Sequence, residues 1–456
     1  MQPDQPASRP FSVTNRSVLA IAVPMTLAFL STPLLGIVDT AVIGRLGNAA
    51  LLGGIAVGAI IFDIIFTTFN FLRSGTTGLT AQAIGAGDDK EQIAVAIRAL
   101  LISFAAGAAI VALQVPILWL ALYLMAPSAE VQAATEEYFS IRILSGPFAL
   151  ANYAILGWFL GLGRAGIGLL LQSLLNGLNI VLNITFVMVL GWGIAGVAWG
   201  TVIGEGITML AGLALLYRAM PHHVRPSRAR ILDRAKLVRM FAVNRDIMIR
   251  SFALLFAFAY FTAQGAEQGD IILAANAILM NFFLLGGYFL DGFATAAEQL
   301  TGRAVGANYA PAFRTAVRLT VLWGFVLAGL MTLLLFAGGG IIIDIMTTNE
   351  PVRAAARTYL IWAALTPLFG VLAFEMDGVF IGSTWSEDMR NMMLLSLLLY
   401  LLAWWIAGPI YGNHGLWLAL NLFLGARGIS LYWRMFYRAR QTFGTSWSAP
   451  APVKKA

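Results

Sequence analysis

From Leu100 to Ala129 the chain carries no Lys, Arg, Asp or Glu, and from Ala165 to Gly204 it again carries none, interrupted only by the turn signal Gly191-Trp192-Gly193. Roughly 20 apolar residues cross the hydrocarbon of a bilayer, so each stretch exceeds what a buried soluble helix needs. Composition agrees: 59% of the 456 residues are hydrophobic and 11% charged, where a soluble domain carries about a quarter charged. Too little polar surface exists to cover a soluble core. The fold class expected is an all-α polytopic membrane protein.

Hydropathy and turn signals mark twelve spans, near 17–43, 51–84, 93–124, 131–161, 165–190, 194–217, 246–264, 271–303, 313–340, 354–382, 389–408 and 414–435. The first is too long for a signal-peptide core, so no cleavable signal is expected. Placing the N-terminus inside puts about 23 of the 29 Lys and Arg on the cytoplasmic side, nine of them from Arg218 to Arg250. This implies a tail at 1–16, an amino-terminal lobe at 17–217, a basic cytoplasmic linker at 218–245, a second lobe at 246–435 and a tail at 436–456. Both termini are expected in the cytoplasm, with the chain integral to a bacterial inner membrane. The basic excess is thus a topogenic signal, and nucleic-acid binding is excluded as its explanation. No cysteine occurs, which removes disulfides and thiolate metal sites. Histidines lie only at 222, 223 and 414. With no His/Cys cluster and no nucleophile–base spacing, an enzyme is not expected.

The two halves repeat. Sliding Leu52 onto Leu273 pairs the segment Leu52–Gly87 with Leu273–Asn308 without a gap. The same register matches Thr80/Thr301, Gly85/Gly306, Gly157/Gly378, Gly161/Gly382 and Gly204/Gly425. Asn15-Arg16 meets Asn244-Arg245 in another register, implying a shorter first helix in the second half. Six spans per half give two six-helix lobes in one orientation, related by a pseudo-two-fold axis along the membrane normal. Two such lobes enclose a cavity that rocking opens on alternate sides, which favours transport over a channel or an embedded enzyme. Gly85-Ala86-Gly87 and Gly161-Leu162-Gly163 lack the Lys-Ser/Thr of a phosphate-binding loop. No cofactor and no ATPase module or partner is therefore expected. The drive is an ion gradient, worth about 2.3 kcal/mol per charge across 100 mV.

Polar groups inside the spans are the site candidates, because a carboxylate at bilayer depth costs about 2.5–3.5 kcal/mol. Asp39 lies far along the first span, where a carboxyl can trade a proton for a cationic ligand. The alternative is that the helix ends near Ile37 and leaves Asp39 at the outer interface. Pro24 and Pro33 share that helix and can seed a bend. Asn179 and Asn183 are four apart on one helix face with Asn176 beside them. They offer donors and acceptors to a neighbour such as Asp39, or simply join helices. Asn152 and Thr201 are candidates to complete that cluster. In the second half Asp291 (matched by Asn70 in the repeat), Glu375 and Asp377 are intramembrane acids, Asp377 either lining a cleft or capping a helix end. Asp63 and Glu205 are further buried candidates, and Met280 and Asn281 candidate cleft residues.

Several strings resemble the multidrug and toxic compound extrusion (MATE) transporters. They are Ala22-Val23-Pro24-Met25 with Val38-Asp39-Thr40-Ala41-Val42-Ile43-Gly44-Arg45, then Tyr288-Phe289-Leu290-Asp291-Gly292, and Met376-Asp377-Gly378-Val379-Phe380. The last two point to the DinF-like branch. The resemblance runs from about Arg16 to Arg438 and implies the MATE fold, with export of small organic compounds in exchange for H⁺ or Na⁺ by a monomer in the lipid bilayer. It also implies a cation or proton site at Asp39, Asn179, Asn183 and Thr201, with a bending proline at Pro24. Substrate cleft candidates are then Asn152, Asn176, Met280, Asn281, Asp291 and Asp377. Related sequences often carry an aspartate where this chain has Asn183, so Asp39 is the sole carboxylate of the matched set. Two alternatives stay open: an exporter of organic acids such as citrate, marked by a cleft dominated by Arg73, Arg142 and Arg427, or a flippase for lipids or lipid-linked oligosaccharides.

Overall fold

The computed structural model describes residues 8–45, 47–221 and 224–447; Leu46, His222, His223 and the outer ends of both tails lie outside the described residues. All regular structure among them is helical. Eleven helical segments are long and apolar enough to cross a membrane, each over one of the expected spans. The twelfth span is α16 (Asn413–Phe443), long enough but short of that apolarity. The polar residues Asn421 and Arg427 lower it, and both are buried, at 1% and 2% exposure. Their cost is met by protein rather than by lipid.

Three expected spans are each two helices. The second is α2 (Ala49–Phe69) and α3 (Phe71–Ala86), joined at Asn70, whose N–H bonds Thr67 O in a tight turn. The third is α4 (Asp89–Ala112) and α5 (Gln114–Met125), and Pro116 in the first turn of α5 cannot continue the ladder. The fourth is α6 (Ala129–Arg142) and α7 (Gly146–Gly161), with a 3₁₀ turn at Ile143–Ser145 just before Pro147. Their repeat partners α12 (Asp270–Gly306), α13 (Ala310–Met346) and α14 (Glu350–Gly382) run without a joint. The first helix, α1 (Asn15–Gly44), continues through Pro24 and Pro33, so neither proline ends it, and Asp39 lies inside the helix rather than beyond it.

Between α8 (Ala165–Ile184), α9 (Gly193–Ala219) and the second half, the stretch read as a basic linker is mostly helix. It holds the short α10 (Arg228–Ile231) and the start of α11 (Arg234–Ala266). Asp233 opens α11 by accepting from the N–H groups of Ala235 and Lys236, at 2.9 and 3.2 Å. That prefix makes α11 33 residues long against 30 for α1. The second half's first helix is therefore not the shorter one, although its portion after Asn244 is. Arg230 and Lys236 form ion pairs with Asp88 and Glu91, which puts the linker at the same end of its unit as the loop before α4. The remaining helix is α15 (Ser386–Tyr411).

Contacts divide the chain into two compact units. One contains Leu30–Thr80 and Asp88–Met240; the other contains the chain up to Phe29, Ala81–Gly87, and the chain from Phe241 onward. Phe62, Tyr138 and Phe139 lie in the first core, with Phe62 stacked on Phe139 at 5.2 Å. Phe261, Tyr400 and Trp417 lie in the second. The repeat is visible as matching close approaches. A Cβ on Gly157 would stand 2.3 Å from Arg73 O, and one on Gly378 2.1 Å from Ala294 O. Gly161 faces Thr77 O at 2.7 Å and Gly382 faces Glu298 O at 2.0 Å by the same measure. Each of these pairs is related by the register read from sequence, so small residues let helix backbones touch at equivalent places.

Gly378→Ala therefore destabilises the protein by about 1–3 kcal/mol, the usual cost of overpacking. The check is the thermal midpoint in detergent, with Gly329→Ala, where a Cβ meets nothing within 4 Å and alanine is the better helix former, expected to hold or raise it.

Candidate functional site

A chain of hydrogen bonds runs through the first unit. Thr201 Oγ1 donates to Val197 O on its own helix at 3.1 Å and accepts from Asn179 Nδ2 at 3.0 Å. Asn179 Oδ1 accepts from Asn183 Nδ2 at 2.6 Å, and the same nitrogen donates to Asp39 Oδ1 at 2.6 Å. Helices α1, α8 and α9 are thereby joined by one carboxylate, two amides and a hydroxyl. The one-turn spacing on α8 puts both amides on one face. Asn183 is fully buried and Asn179 nearly so, whereas Asp39 is half-buried. The NH₂ of Asn183 uses both hydrogens, one on each neighbour, while its Oδ1 is buried without a hydrogen-bond partner. That oxygen fits because residue 200 is glycine: a Cβ there would lie 2.0 Å from it.

The other expected members of the cluster stand elsewhere. Asn176 donates to Ser31 Oγ on α1 at 2.7 Å and accepts from Gln172. Asn152 does not reach Asp39; its Nδ2 bonds Glu205 Oε2 at 2.5 Å and Glu205 O at 3.1 Å. Those two line a small cavity of 40 Å³ with Gln172 and Thr208. Asp63, expected to be buried, is exposed. Arg142, expected only as a mark of an organic-acid cleft, stands beside this site, and its charge acts on Asp39, Asp63 and Glu205. It donates to Tyr138 Oη at 2.5 Å and lies 4.5 Å from the centre of the Phe62 ring. The signal available in the sequence was an arginine inside an apolar span with a tyrosine four residues before it.

In the second unit the acids have a different setting. Asp377 neither caps a helix end nor presents a free charge to a cleft. Its Oδ2 accepts from Arg427 at 2.6 Å and from Arg250, and the three side chains are almost wholly buried. Desolvation makes such a carboxylate and its guanidiniums mutually dependent. Asp291 is half-buried and is close enough to act electrostatically on Arg427. Glu375 is fully buried against α13, where a Cβ on Gly324 would stand 2.8 Å from its Oε1. Met280 and Asn281 line a 250 Å³ cavity with Phe261 and Asn276, although the Asn281 amide is exposed and bonded to Ala277 O of its own helix. Sequence reasoning missed the reciprocal pair Asn276–Asn413, at 2.8 and 2.9 Å, to which Trp417 Nε1 adds a bond at 2.9 Å.

The MatE family model matches the chain twice, over residues 24–185 and 247–406. The chain belongs to this family, the MATE transporters. The double match is the internal repeat seen from outside. DNA damage-inducible protein F of Escherichia coli (strain K12) is 38% identical over 428 residues, spanning 93% of each chain. The probable multidrug resistance protein NorM of Chromobacterium violaceum is 24% identical over 456 residues, again 93% of each. Among solved structures, an outward-facing multidrug resistance MATE family transporter of the MOP superfamily aligns with a TM-score of 0.83 at 20% identity, covering 94% of this chain and 97% of that one. The fold is the all-α polytopic membrane fold of MATE transporters, and transport of small organic compounds is the role of the family.

Gly200→Ala pushes against Asn183 Oδ1 and breaks the bond to Asp39. A lost buried hydrogen bond is worth about 1 kcal/mol, so Gly200→Ala destabilises the protein by about that much, read as a lower thermal midpoint in detergent.

Proposed function

We propose that this MATE transporter exports organic compounds, cationic or amphipathic, in antiport with H⁺ or Na⁺ by alternating access, and that Asp39 couples the two fluxes. The observation that carries the reading is the Asp39–Asn183–Asn179–Thr201 chain. Asp39 is its only ionisable member, and its direct partner is a neutral amide, so its charge is free to be exchanged. Of the arginines that would mark an organic-acid cleft, Arg427 is paired with the Asp377 carboxylate, whereas Arg142 and Arg73 bond the neutral groups of Tyr138, Asn70 and Ser74 and keep their charge. Asp39, whose partner is neutral, is the feature that favours cationic cargo. A multidrug relative such as NorM favours drug-like compounds over lipids.

The donor set favours the proton. Asn183 turns its NH₂ toward Asp39, and a bound Na⁺ there would meet amide hydrogens instead of oxygen. A second reading rests on Asn183 Oδ1, buried without a partner, which rotation of the amide would turn into a cation ligand beside Asp39 and Asn179. In either case an incoming cation neutralises Asp39 and releases cationic substrate, which makes the two occupants exclusive.

Asp39→Asn, fixed in the neutral form, abolishes export driven by an imposed pH gradient in proteoliposomes while expression and monodispersity persist. Retained coupling would move the site to Asp291 or Glu205. Export by the unmodified chain that follows a Na⁺ gradient with no pH difference would select Na⁺.

The topology carries its own test. The chain has no cysteine, and Ala229 is exposed beside the ion-paired Arg230. Ala229→Cys is expected to resist an impermeant maleimide in intact cells and to react after permeabilisation. Labelling in intact cells would invert the orientation.

A further inference from the structure

Outside the region of the coupling site, the second unit carries a groove of 460 Å³ between α13, α16 and the 3₁₀ turn Gly444–Trp447. Arg314 and Arg318 stand at one end of it, one and two turns into α13. Beyond them on the same helix come Val321, Leu322 and Phe325, and the opposite wall is Tyr432 and Phe436 of α16. The floor is aromatic, with Trp447 6.1 Å from Phe313 and 6.3 Å from Phe436, ring centre to ring centre. The Arg314 guanidinium lies 5.7 Å from the Trp447 ring. Arg318 is exposed and makes no hydrogen bond or ion pair among the described residues. Leu322, Phe325 and Phe436 are exposed as well.

The order of these residues along α13 is polar first and apolar after. Arg314, Arg318 and Leu322 are spaced by four and share a face. A helix advances 1.5 Å per residue, so Phe325 lies about 16 Å beyond Arg314. That length is roughly one leaflet of the hydrocarbon core. Two guanidiniums suit a phosphate diester, which they engage by charge-assisted bonds. A Trp at this level is typical of the membrane–water interface. The basic-loop reading puts this end of α13 in the cytoplasm, facing the leaflet where anionic lipids concentrate.

We propose that the groove is a binding site for an anionic phospholipid, its phosphate held by Arg314 and Arg318 and its acyl chains lying along Leu322, Phe325 and Phe436. The site is separate from substrate transport as read above and does not depend on which ion drives it.

The experiment is native mass spectrometry of the purified full chain with phosphatidylglycerol and phosphatidylcholine added at equal concentration. The unmodified chain is expected to retain phosphatidylglycerol in preference. Arg318→Gln weakens that retention about fivefold, the effect of one interfacial charge, and Arg314→Gln with Arg318→Gln removes the preference. Arg353→Gln, on α14 beside the opposite end of α13 and paired with Glu350, keeps it. Because Arg318 is exposed, its single variant decides the matter even where the double variant fails to fold. Full preference in Arg318→Gln, no preference in the unmodified chain, or displacement of the lipid by millimolar inorganic phosphate would each overturn the proposal.

Discussion

A polar group carried into hydrocarbon has to find its partner inside the protein, and much of this structure follows from that demand. Asp39 is answered by Asn183, Asn183 by Asn179 and Asn179 by Thr201. Asn276 and Asn413 answer one another, and Trp417 joins them. Asp377 is answered twice over, by Arg250 and Arg427. Each set joins helices that are distant in sequence, so polar pairing positions elements that apolar side chains alone would pack with little preference for register.

The halves share their close helix approaches and differ in their joints and in their chemistry. Gly157 and Gly378, and likewise Gly161 and Gly382, meet equivalent neighbours, so the helix approaches were kept as the chain doubled. What occupies the interior was not. The first unit surrounds a single carboxylate with neutral amides and a hydroxyl, a setting whose charge state can change without stranding a partner. In the second unit two guanidiniums share one carboxylate oxygen, and neutralising it would leave both buried charges uncompensated. The first arrangement is suited to exchange and the second to permanence.

Much of the fold was legible because its signals are local. Uncharged runs longer than a bilayer is thick mark spans, turn residues separate them, and a gap-free register exposes the repeat. The same reasoning ran past three joints, because the turn at Asn70 and the prolines at 116 and 147 break helices without breaking hydropathy. It also read a linker as loop where α11 had already begun, since basic residues suppress the hydropathy signal without suppressing helix.

Within the site, the spacing of Asn179 and Asn183 determined that two amides share a face, and the resemblance tied Asp39 and Thr201 to them. Which amide meets which oxygen was not available from order along the chain. Asn152 stands with Glu205, and Asp377 with two arginines, because side-chain partners are chosen by the packing of helices far apart in sequence. The sequence by itself determined the class, the spans, the duplication and the short list of costly polar residues, all of which depend on composition and local period. Only the tertiary structure decided which acids meet guanidiniums and which meet neutral amides, because a buried charge is defined by the neighbours that share its low-dielectric surroundings.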